Sequence, residues 1–161
     1  MLISAKMTYL IITSLVHCAV TTTTPPPHFV FVMADDLGWN DIGFHDPRIR
    51  TPTLSKLAAE GLVLERHYVY RYCSPTRGSF LSGRLPHHDH QSNPGGESPF
   101  GPNINMTLLP QKLREVGYRT AMRGKWHYGF AHEKYLPVHR GFEDHAGYFV
   151  SAQYVHVCLG T

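Results

Sequence analysis

Cys73-Ser74-Pro75-Thr76-Arg77, continued by Gly78-Ser79-Phe80-Leu81-Ser82-Gly83-Arg84, decides how the rest of the chain reads. Taken alone, C-x-P-x-R is five positions long and arises by chance. Its surroundings make it informative. Asp35-Asp36 lies upstream, at the end of the apolar run His28-Phe29-Val30-Phe31-Val32-Met33-Ala34, and Gly124-Lys125-Trp126-His127 lies downstream. The 28–34 run, rich in β-branched and aromatic residues, predicts a central parallel strand buried on both faces. Leu62 to Tyr70, interrupted by Glu65, Arg66 and His67, predicts a second strand, and Tyr118 to Arg123 a third. Each run ends at a chemically distinctive group: two acids, the cysteine, and a Lys/His pair. Ligands of open α/β sheets bind at the carboxyl ends of the strands, so the three groups are expected on one rim.

Helical signals alternate with these runs. Thr51-Pro52 predicts an N-cap and first helical residue, with Leu54, Leu57 and Ala58 on one face and Gly61 at the end. A short helix is expected from Cys73 to Gly83. A further helix runs from a Thr107 cap to Val116, with Pro110 in its first turn, Leu109, Leu113 and Val116 as its stripe and Gly117 behind it. Arg84 to Met106 is polar and rich in proline and glycine, and is read as a long loop. Within it His87-His88-Asp89-His90 offers metal-binding residue types, but adjacent positions in such a loop suit a tetrahedral site poorly, and a solvated loop lining a cleft is the favoured reading. Asn105-Met106-Thr107 is a sequon, which makes Asn105 a candidate glycosylation site.

The chain has 161 residues, enough for one domain with a sizeable core, and is 42% hydrophobic and 17% charged, a globular balance. A formal charge of +3 with no basic run sets nucleic acid aside as a partner. Residues 1–20, with Lys6 before the apolar stretch Met7 to Val20, read as a secretory signal peptide; the stretch is too short for a stable membrane span. Residues 21–27, Thr-Thr-Thr-Thr-Pro-Pro-Pro, read as an extended linker. Three cysteines are present, and with Cys18 in the leader, Cys73 and Cys158 remain as a possible disulfide pair.

In order and content, Asp35-Asp36, the Cys73 motif and Gly124-Lys125-Trp126-His127 resemble the sulfatase family, closest in style to arylsulfatase B-type enzymes. The resemblance runs from about Phe29 to Tyr148, and Arg140-Gly141-Phe142-Glu143 with Gly147-Tyr148 extend it as packing and turn residues. It implies an α/β fold, a parallel mixed sheet sandwiched by helices in the alkaline phosphatase-like manner. Residues 28–150 then form the amino-terminal part of a sulfatase catalytic domain, and 151–161 a divergent or truncated tail.

The resemblance also implies chemistry. Asp35 and Asp36 would bind Ca²⁺, or Mg²⁺, together with Cys73 after its conversion to formylglycine. Two carboxylates in isolation would otherwise read as a helix cap or solvated turn, and Cys73 as a structural thiol. Cys73, Pro75 and Arg77 match the elements that the formylglycine-generating enzyme reads on the unfolded chain during secretion. Thr76 stands where serine is commoner in the family. Hydrated formylglycine provides one hydroxyl to attack sulfur and a second through which the covalent sulfate is expelled; a bare thiol or hydroxyl lacks that second oxygen. Arg77 would steady the modified residue, Lys125 would contact the sulfate, and His127 would hydrogen-bond the formylglycine hydroxyl and serve acid–base duty. Without their flanking Gly124 and Trp126, Lys125 and His127 would read as a surface lysine and a core histidine.

The expected function is that of a secreted or lysosomal, metal-dependent sulfuric ester hydrolase acting on an aryl sulfate or sulfated sugar. Family members are several hundred residues long and place further metal ligands, a histidine and a lysine after the matched region, so the resemblance implies a fragment weak or inactive alone. Two alternatives stay open: a non-catalytic product that binds ions, sulfated glycans or a partner chain, and a related phosphodiester or phosphonate ester hydrolase.

Overall fold

The computed structural model describes residues 25–89, 99 and 101–150. The chain divides into two compact units at Asp36, and of the described residues 25–36 fall to the first and 37–150 to the second. The predicted leader, the first four linker residues, His90 and the tail lie outside the described residues.

In the first unit, the 28–34 run is not a strand. It carries no ladder, and Phe29, Val30, Phe31 and Val32 are exposed, Val30 at 89%. A β-prone sequence becomes a strand only when a neighbour supplies carbonyls and N–H groups in register, and the ladder among the described residues joins two other segments. Leu62 to Tyr70 departs from expectation in the same way. It contains a turn, with the His67 N–H bonded to the Leu64 carbonyl at 3.3 Å, and Leu62, Tyr68 and Val69 are exposed.

Among its described residues the second unit is built on three α-helices and one parallel strand pair. Helix α1, Pro52–Glu60, follows Thr51 as predicted, and the Gly61 N–H closes it on the Leu57 carbonyl at 2.9 Å. The Thr51 hydroxyl does not cap it; that oxygen accepts from the Gly43 N–H at 2.7 Å and anchors the preceding turn. Leu54 and Leu57 do not enter a closed core. They line an open apolar groove with Trp39, Phe44, Leu62 and Leu64.

Helix α2, Cys73–Ser82, begins after extended Tyr72 and tolerates Pro75 in its first turn. It stops at Gly83, whose left-handed φ of 67° suits glycine. Helix α3, Leu109–Glu115, starts later than predicted. Its N-cap is Leu108, whose N–H donates to Gln111 Oε1 at 2.8 Å, so Thr107 is outside the helix and exposed. The expected stripe is largely uncovered, with Leu109 and Val116 exposed and Leu108 and Pro110 buried in their place. Gly117, at φ 87°, closes the helix while the Tyr118 N–H reaches back to the Leu113 carbonyl at 3.0 Å.

Strand β1, Ala121–Lys125, pairs in parallel with β2, Asp144–Tyr148, in the register Ala121–Asp144 to Lys125–Tyr148. The predicted third strand therefore exists, shifted toward the Lys/His pair. Gly147 and Tyr148 are strand residues, not turn residues. The crossover, 126–143, carries two short 3₁₀ turns, Glu133–Tyr135 and Pro137–His139. Trp126 and Tyr128 are fully buried with Leu108, and Leu81, Phe149 and Val150 complete the core around them. That core sits directly behind the carboxyl end of β1.

Candidate active site

The end of β1 and the start of α2 are tied together by one side chain. Arg77 lies four residues after Cys73, on the same helical face. Its guanidinium is buried, and Nη1 donates to the Lys125 backbone carbonyl at 2.6 Å. The next residue must be glycine for the helix to lie this close. A Cβ on Gly78 would stand 2.7 Å from Tyr128 Cε2. Cys73 is half-buried with a free thiol, while Ser74, Pro75 and Arg77 behind it are buried.

Lys125 and His127 are buried, His127 to 6% exposure. The parallel pairing continues past Lys125. The Trp126 N–H donates to the Tyr148 carbonyl at 2.8 Å, and the His127 N–H to the Phe149 carbonyl at 3.0 Å. His127 nonetheless takes a left-handed φ of 47°. Among the described residues Asp36 is the other non-glycine residue in that region, at φ 57°. Non-glycine residues persist there where their surroundings over-determine them, and such strain gathers at functional positions. Both residues are ones that the sequence singled out for chemistry.

The structure thus brings Cys73, Arg77, Lys125 and His127 into one region of the second unit. Asp35 and Asp36 are exposed and close the first unit. The backbone amides at the start of α2 offer an anion-facing end, with Pro75 removing one donor. Asn105 is exposed in a turn where its N–H donates to Asn103 Oδ1 at 3.0 Å, and Thr107 is exposed beside it.

Sequence reasoning missed a buried polar group behind this region. Asp89 is not solvated; it is 3% exposed and accepts a hydrogen bond from the Tyr128 hydroxyl. Arg140, also buried, donates to the Met106 carbonyl at 2.6 Å and the Ile104 carbonyl at 3.2 Å. Burial, with Asp89 adjacent, pushes the Tyr128 hydroxyl well above its ordinary pKa and keeps it a donor. No local signal marks Asp89, since its partner is 39 positions away.

Residues 27–155 match the family model for sulfatase. Arylsulfatase J of Mus musculus is 45% identical over 130 residues, covering 79% of this chain and 22% of that protein. Two solved structures share the fold. Ps i-CgsB in complex with k-i-k-neocarrahexaose superposes with a TM-score of 0.69 at 33% identity, over 73% of this chain and 27% of that one. The PsFucS1 sulfatase from Pseudoalteromonas sp. gives 0.62 at 36% identity, over 71% of this chain and 24% of that one. The chain belongs to the sulfatase family, whose members are sulfuric ester hydrolases of alkaline phosphatase-like fold. It spans about a quarter of the length of the curated relatives it matches.

Proposed function

We propose that these residues carry the nucleophile-bearing portion of an arylsulfatase-type, metal-dependent sulfuric ester hydrolase acting on an aryl sulfate or sulfated sugar. The observation that supports this reading most directly is the Arg77–Lys125 hydrogen bond. It joins the cysteine helix to the Lys/His segment within an otherwise small core. Family membership supports the reaction class, and the carrahexaose complex of a structural relative supports a sulfated sugar.

In this reading Cys73 is converted to formylglycine during secretion by the generating enzyme. The aldehyde, when hydrated, supplies both the attacking hydroxyl and a route for releasing sulfate, which a thiol cannot. Arg77 fixes the helix start against β1. Lys125 places its charge at the sulfuryl oxygens, and His127 holds or moves a proton at the nucleophilic oxygen. Asp35 and Asp36 supply hard oxygen donors suited to Ca²⁺ or Mg²⁺. A thiol sulfur is a poor ligand for such an ion, so Cys73 fits the donor set only after conversion to an oxygen-bearing side chain. A bound cation polarises the sulfate and lowers the pKa of an adjacent hydroxyl. The secretory pathway, lysosomal or extracellular, is the proposed location. Among the described residues no helix is long and apolar enough to cross a membrane.

The test is mass spectrometry of the peptide around Cys73, from chain secreted by cells that hold the modifying enzyme. Aldehyde or its hydrate is expected. Unmodified thiol alone, beside a control sulfatase modified in the same cells, overturns the reading.

A further inference from the structure

We infer that Asp89 and Tyr128 are positioning residues for His127, a buried lock that fixes its left-handed backbone and so the direction of its imidazole. The role given to His127 rests on the function proposed above; the lock itself rests on packing. His127 is flanked by two fully buried aromatic residues, Trp126 and Tyr128, whose rings meet edge to face with centroids 5.7 Å apart. Each is held by its polar tip. The Trp126 indole N–H donates to the Gly129 carbonyl at 2.9 Å and the Tyr135 carbonyl at 3.1 Å, and the Tyr128 hydroxyl donates to Asp89.

With both neighbours pinned and the His127 N–H on the Phe149 carbonyl, the chain between them is driven to φ 47°. Packing alone does not call for this arrangement. A leucine or phenylalanine would fill the Tyr128 site, whereas burying the Asp89 carboxylate is costly unless it is well partnered. Its Oδ1 is buried with no hydrogen-bond partner among the described residues. Arg140 provides nearby opposite charge. Gly78 completes the lock, because a Cβ there would also stand 3.2 Å from Asp89 Oδ2. The nucleophile helix and the histidine are thus indexed to the same carboxylate.

Tyr128→Phe keeps the ring and removes the hydroxyl; Asp89→Asn keeps the size and an acceptor. Both are compared with Leu113→Ala, a change in α3 away from the lock. The His127 ring signals are followed by NMR in the 161-residue chain, without ligand and on titration with inorganic sulfate. Tyr128→Phe is expected to shift the ligand-free His127 ring signals and weaken sulfate binding about tenfold, and Asp89→Asn, which keeps an acceptor for the hydroxyl, to change each by less. Leu113→Ala should lower stability and leave the His127 signals in place. Unchanged His127 signals in folded Tyr128→Phe overturn the proposal. So does unfolding of both Tyr128→Phe and Asp89→Asn, which would make the pair a fold determinant only. Sulfate that leaves His127 unmoved in the parent chain counts against the proposed function instead, while the ligand-free comparison still judges the lock.

Discussion

Arg77 Nη1 and the Lys125 carbonyl are 2.6 Å apart, although 48 positions separate the residues in sequence. A guanidinium spent on a backbone carbonyl is a structural commitment. It makes the start of α2 and the end of β1 a single unit, so the geometry of the cysteine and that of the lysine cannot vary independently.

Arg77→Ala should therefore destabilise the fold as well as the site. Hydrogen bonds to charged groups contribute about 1.5–3 kcal/mol, and a buried carbonyl deprived of its donor adds a desolvation cost. Urea denaturation should show a loss in that range for Arg77→Ala. A midpoint equal to that of the parent chain would rule out the tie as a stabilising contact.

Gly147→Ala tests the strand pair. A Cβ at Gly147 would fall inside the van der Waals envelope of the Gly124 carbonyl oxygen, with the Gly124 carbonyl carbon at 2.6 Å. Backbone cannot swing aside as a side chain can, so a loss at or above the overpacking cost of about 1–3 kcal/mol is expected. Thermal denaturation reads it directly. A tolerated alanine would mean that β1 and β2 lie farther apart than described.

A pH response should come from His145. It is 1% exposed, stacked at 5.5 Å on Phe149, and burial holds its pKa below the ordinary histidine value. The unfolded chain then binds the proton more readily than the folded one. Stability is fully present above the unfolded value of about 6.5 and declines as pH falls below it toward the folded value. Denaturation midpoints should drop between pH 7.5 and 5.5, and His145→Asn should flatten that slope. An equal slope in both proteins would assign the effect to another group.

The helix that carries Cys73 and the helix after Thr51 were legible in the sequence because helix ends are local. The Cys73 helix, its Gly83 stop, and the start and end of α1 depend on residues within a turn of one another. The strands were less legible because a ladder is not local. Val30 and Val69 carry the β-branched chemistry of strands and yet lie outside the β ladder of the described residues. Asp144-His145-Ala146-Gly147-Tyr148, with weak β propensity, becomes β2 because β1 lies alongside it. Asp89 was misread for the same reason, since a polar loop and a buried carboxylate look alike until Tyr128 is in place.

Asn105 should carry glycan when the chain passes through a secretory pathway. Both sequon positions are exposed, and Thr107 is not occupied with capping α3. A mass increase removed by an N-glycan-specific glycosidase and by Thr107→Ala is the expected result. Parent chain secreted without it would exclude the site.

The 161 residues produced alone, even with Cys73 converted, should hydrolyse an aryl sulfate negligibly. Under the proposed function, Asp35 and Asp36 would supply only part of the 6–8 oxygen ligands that calcium takes. Removing a single preorganised electrostatic contact costs about 10²–10³ in rate. Robust turnover at saturating Ca²⁺ that vanishes in Cys73→Ala would show this portion to be sufficient.

The burial of Pro75 and Arg77 has a consequence in time. The side chains by which a modifying enzyme would recognise Cys73 are withdrawn into the fold, Pro75 fully buried and Arg77 held against β1. Under the proposed chemistry, folding and conversion compete for the same newly made chain, and the faster process decides the outcome. A substitution that hastens folding would then lower the yield of competent protein while raising its stability. One that delays folding slightly would do the reverse. Under that chemistry, the stability of the chain and the yield of converted Cys73 need not rise together.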